Sequence, residues 1–82
     1  MYFLDEVTQA SGIAPIIARG AICRAVVRAG LPCDRETFGR GSLVTAMPEI
    51  LKTMELYLGP DEWTVHRERL RALALPSKAE LR

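Results

Sequence analysis

Apolar residues recur along this chain at three- and four-residue intervals, and they nowhere alternate with polar ones over a useful length. The dominant period is helical. Phe3, Val7 and Ala10, with Leu4 beside them, form a short stripe that predicts a helix over residues 3–10. Gly12 suits the left-handed position just past its end. Ile13 suits the apolar contact that often accompanies such a cap.

A second helix is expected over about 15–29. Pro15 fits its first position, where a missing N–H costs nothing, and Gly30 and Pro32 close it. At about 100° per residue, Ile16, Gly20, Ile22, Cys23, Val26 and Val27 cover a broad face. Arg24 and Arg28 mark a narrow polar edge, and Arg19 interrupts the apolar side. A helix this apolar is expected at the centre of the fold, touched on more than one side, with Gly20 admitting a close neighbour.

Residues 31–42 read as a connector. Asp34 can cap a single turn through Phe38, which pins the connector to the core, and Gly39 and Gly41 flank Arg40 in a soft exposed loop. Ser42 is the expected cap of a third helix. In it Leu43, Met47, Ile50, Leu51, Met54, Tyr57 and Leu58 share about 120° of arc. Pro48 falls on the polar side and predicts either a kink or a fresh helix start. Gly59-Pro60 ends this helix and begins a fourth over about 60–75, with Asp61 and Glu62 in the first turn, where carboxylates favour the helix dipole. Trp63, His66, Leu70, Leu73 and Ala74 form its buried stripe, Arg67, Arg69 and Arg71 lie off it or at its edge, and Pro76 stops it. The third and fourth helices are expected to pack as an antiparallel hairpin. Ser77 and Glu80 have capping-box spacing, but the tail is too short to hold a helix by itself. The expectation is therefore all-α: a small compact bundle of four main helices plus a helical turn, one domain over residues 1–76, followed by a flexible tail at 77–82.

Composition changes this picture little. The chain has 82 residues, 49% of them apolar and 26% charged, which suits a single globular domain near the lower size limit for independent folding. Eleven basic against ten acidic side chains leave a formal charge of +1, so there is no broad field toward nucleic acid or an anionic membrane, only room for a local basic face. No apolar run reaches the ~20 residues of a membrane span, and MYFLDEV lacks the basic start of a signal peptide. The cytoplasm is the default expectation. There Cys23 and Cys33 are read as two small, partly buried thiols, with a disulfide the minority reading.

Catalytic chemistry finds little support, and no enzyme is expected. His66 is the single histidine and sits between Trp63 and Leu70 on an apolar stripe, where packing is the usual role. The acids are scattered, no metal-ligand spacing occurs and no cofactor is implied. The GRGS run at 39–42 offers an anion a helix start, without the strand or the Lys of a phosphate loop. Residues 4–22 have the helix–glycine turn–helix spacing of a helix-turn-helix. Only Arg19 could reach a base there, with Arg24 and Arg28 for phosphates, so DNA binding is the second reading. The first reading is a small interaction or regulatory module. Ile17, Leu56 and Val65 fall outside the apolar stripes, and surplus apolar surface on a small domain marks a protein partner or a second copy, here expected as a homodimer. Ile17 and Leu56, with a rim of Arg24, Arg28, Arg35 and Arg40, are the residues expected to meet an acidic or helical partner; no membrane role is expected.

Overall fold

In the computed structural model, which describes residues 2–75, four helices follow one another: α1 (Phe3–Ala10), α2 (Pro15–Arg28), α3 (Arg40–Tyr57) and α4 (Pro60–Ala74). The fold is all-α, as the periodicity predicts, and no strand occurs among the described residues. The tail expected at 77–82 lies outside them.

Each boundary has a local cause. At the end of α1, Gly12 takes φ +76° and its N–H reaches Gln9 O. The next bond of the usual glycine cap is relayed through a hydroxyl. Ile13 N–H donates to Ser11 Oγ, and that hydroxyl donates to Thr8 O at 2.6 Å. Ser11 is fully buried, so both its bonds stay within the turn. One more carbonyl at this end, Ala10 O, accepts from His66 Nδ1 of α4 at 3.1 Å. A carbonyl can only accept, so that nitrogen carries the proton. His66 thus closes a helix end, and its ring lies where a Cβ on residue 12 would go.

α2 ends in a full glycine cap. Gly30, at φ +88°, donates to Val27 O, and Leu31 donates to Val26 O. The connector then forms the expected turn. Asp34 accepts from Glu36 N through its side chain and from Phe38 N through its carbonyl. Phe38 is buried and stacks on Phe3, with ring centres 6.2 Å apart.

α3 begins two residues before the expected Ser42. Gly39 is its N-cap, and Ser42 Oγ accepts the Gly39 N–H, so the supposed soft loop supplies the first helical turn. Pro48 lies inside one continuous α3 rather than starting a new helix. The ring removes the N–H that would bond the Val44 carbonyl. Both residues face solvent, which satisfies that carbonyl at little cost. Trp63 Nε1 donates to Leu51 O at 3.1 Å across the Gly59-Pro60 turn, folding α4 back along α3.

The larger corrections concern α2. Its buried side chains are Ala18, Ala21, Ile22, Ala25 and Val26. Of the face expected to be buried, Ile16 is 97% exposed and Val27 58%, and Gly20 is open as well. The helix is buried on one side only, rotated by roughly a third of a turn from the expected stripe. Its alanines let α1 and α3 approach closely, Ile22 and Val26 pack inward beside them, and Ile16, Ile17 and Val27 turn outward. The cysteines also differ from expectation. Cys23 and Cys33 form a disulfide, their Cα atoms 5.5 Å apart, because the cap at Gly30 brings residues 31–33 back beside α2.

Ile22, Leu43, Ile50, Met54 and Leu70 are the largest fully buried side chains of a core to which all four helices and Phe38 contribute. On α3, Ala46 and Thr53 are buried in addition to the expected stripe, whereas Tyr57 is about half exposed.

Candidate interaction surface

The outer face of α2 is built by the same periodicity that builds its core. Ile16, Gly20, Cys23 and Val27 follow one another at four, three and four residues, within about 60° of arc. They form a strip about 17 Å long, three helical turns, on which Ile16, Gly20 and Val27 face solvent and Cys23 is half-buried. An open, largely apolar hollow along it is lined by Gly20, Cys23, Arg24, Val27 and Arg28. Ile16, at the other end, joins Pro15 and Arg19 in a crevice against Asp5, Thr8 and Gln9 of α1.

Arginines border the strip on both sides. Arg24 and Arg28 flank it on one side. On the other, Arg19 and Arg35 share a small hollow with Asp5 and both half-cystines. Two of the four are partly offset. Arg19 stands 3.8 Å from Asp5, and Arg28 reaches Glu49 Oε2 at 3.3 Å and Thr53 Oγ1 at 2.7 Å on α3. Arg35 lies over the Tyr2 ring, its Cζ 5.7 Å from the ring centre. Neither Arg35 nor Arg24 has a carboxylate at ion-pair distance among the described residues.

Of the residues expected at a partner surface, Ile17 is half exposed beside Arg24, and Arg24, Arg28 and Arg35 border the strip. Leu56 is 81% exposed on α3, one turn beyond Thr53 and so near the Arg28 end of the strip. Arg40 is not brought to this surface: it opens α3, is half-buried and engaged, and lines none of these hollows. The centre of the strip, Ile16, Gly20, Cys23 and Val27, was assigned to the core by sequence. A second period was present, in Ala18, Ala21, Ile22, Ala25 and Val26, and it marks the packed face once small residues are counted as core-forming.

His66 is committed to a backbone carbonyl, and no cluster of three or more His, Cys, Asp or Glu able to hold a metal occurs among the described residues. No single described helix is long and apolar enough to cross a membrane. The chain bends by 112° between α1 and α2, and the four-residue turn between them holds Gly12. That is the angle and turn of a helix-turn-helix.

No family model matches the chain, no curated protein matches it, and no solved structure matches it.

Proposed function

We propose that this chain is a small non-enzymatic interaction module that engages a protein partner through the outer face of α2. The observation that carries this reading is the separation of two apolar surfaces on one helix. The core closes without Ile16, Ile17 or Val27, and these stay open to solvent along the outer side of α2. Burying one such side chain contributes about 1.5–3 kcal/mol, so a partner covering the strip gains affinity without disturbing the fold. Leu56 is a further exposed apolar side chain, on α3.

Homodimerisation remains part of the proposal only through surfaces that include Leu56. α2 carries Arg19, Arg24 and Arg28 and no acid, so two α2 strips face to face would oppose like charges. The setting follows the cysteines. The bond between Cys23 and Cys33 is of the kind that forms and persists in an oxidising compartment.

A second reading, a helix-turn-helix DNA reader, is favoured by the 112° bend and the Gly12 turn. The exposed start of α2 speaks against it, since Pro15, Ile16 and Ile17 offer base edges no side-chain hydrogen bond.

A photo-crosslinking side chain installed at position 16 or 27 in cells tests the first reading. Discrete protein adducts are expected from both positions and none from exposed Thr45 on α3. A lack of adducts at 16 and 27 overturns it. A duplex-DNA mobility shift at low salt that weakens with salt, and is lost on Arg19→Ala, puts the DNA reader in its place.

A further inference from the structure

We infer that the outer face of α2 is a seat for an apolar helix flanked by acidic side chains, which crosses closely over Gly20. This rests on the interaction-module reading and adds the partner's chemistry.

The first observation is the glycine. Gly20 lies in the middle of α2 without a positive φ, and a Cβ built on it would meet nothing within 4 Å. Neither backbone nor packing within the chain calls for a glycine there, and in a helix interior it is disfavoured against alanine. A missing side chain lets a second backbone approach closely. Ile16 and Val27, four residues before and seven after, rise on either side as ridges, so Gly20 is the low point of the strip. Ridges about a low point fit the ridge-into-groove packing of a second helix. A fluid bilayer has no use for such a notch.

The second observation is charge. Arg24 and Arg28 border one side of the strip and Arg19 and Arg35 the other; among the described residues, Asp5 and Glu49 are the acids at ion-pair distance from them. Arg24 is without a carboxylate partner among the described residues. Charges on both sides steer an acidic-flanked helix into register and repel a basic one. They also repel a second copy of α2.

The test uses two labelled 21-residue helical peptides with the same leucine stripe, one carrying Glu on both flanks and the other Lys, titrated with the full chain by fluorescence anisotropy. The Glu-flanked peptide should bind at least tenfold more tightly, and its advantage should shrink as salt is raised. Gly20→Leu should weaken its binding tenfold or more while the chain keeps its helical circular dichroism. Gly20→Ala should raise the melting temperature yet weaken binding, which a structural role for the glycine would not produce. Arg24→Glu should reverse much of the preference between peptides. Equal binding of both peptides, or no binding of either, overturns the inference. So does binding that Gly20→Leu leaves unchanged, or binding to phosphatidylserine vesicles in preference to both peptides. Crosslinked adducts at positions 16 and 27 would in each case leave the interaction-module reading standing.

Discussion

The two faces of α2 each carry one isoleucine and one valine and differ in what stands between them, three alanines inside and a glycine and a half-cystine outside. The inner face is Ala18, Ala21, Ile22, Ala25 and Val26, and it is buried almost to the last atom. The outer face is Ile16, Gly20, Cys23 and Val27, as apolar in kind, with an isoleucine almost fully in water. A rule that buries the largest aliphatics first cannot choose between them. α2 packs most extensively against α3 and also against α1, and helix axes come within about 8–10 Å only where the side chains between them are short. Alanines supply that closeness, and Ile22 and Val26 fill what remains. Volume at the contact, more than the free energy of leaving water, decides which side faces in.

Paired substitutions on the two faces should separate most sharply. Ile22→Ala removes a fully buried side chain and should cost about 2–5 kcal/mol. Ile16→Ala, on the outer face, should stay within about 0.5 kcal/mol. Urea unfolding of both variants measures the difference, and equal losses would mean that Ile16 belongs to the core.

The disulfide ties the outer face to the connector, and its loss should come next in size. With a sequence separation of 10, the closed loop contributes about 2–3 kcal/mol on the chain-entropy account. Cys33→Ser, or a dithiol reductant added to the wild-type chain, should lower the unfolding midpoint accordingly. The reductant should leave Cys33→Ser unchanged, since the remaining thiol has no partner.

Overpacking separates the faces from the other direction. Ala25→Leu forces methylenes between α2 and its neighbours and should cost about 1–3 kcal/mol. Val27→Leu, also an enlargement, has solvent to expand into and should be close to neutral. Thermal melts of the two variants decide whether the alanine face is as tight as its burial implies.

What could be read in the sequence was what is settled within a few residues. Pro15, the glycines at 12 and 30 and the Gly59-Pro60 pair each satisfy or remove a backbone group, so helix ends followed from local chemistry. The Asp34–Phe38 turn was legible for the same reason. The start of α3 was not, because Ser42 accepts a hydrogen bond from Gly39 and so acts three residues into the helix rather than at its cap. The rotation of α2 was hidden because both its faces are apolar and the choice rests with α1 and α3, distant in sequence. Of the arginines expected at a rim, Arg24, Arg28 and Arg35 line the hollows beside the strip, and Arg40 opens α3. The disulfide was hidden because a spacing of ten says nothing until the chain reverses at Gly30.

The smallest predicted difference lies between two arginines on one edge of the strip. Arg28 donates to the buried Thr53 hydroxyl and to Glu49, so it joins α2 to α3. Its side chain is half exposed, which screens the charge, and Arg28→Ala should cost only about 1 kcal/mol. Arg24, one turn earlier, makes no such bond, and Arg24→Ala should leave stability unchanged within about 0.5 kcal/mol. Thr53→Val distinguishes hydrogen bond from charge: it removes the acceptor, keeps the volume and leaves Glu49 in place. If the Thr53 bond is what holds Arg28, the double variant should lose less than the sum of the two single losses. Additive losses would instead leave the Glu49 ion pair as the contact that holds Arg28 to α3.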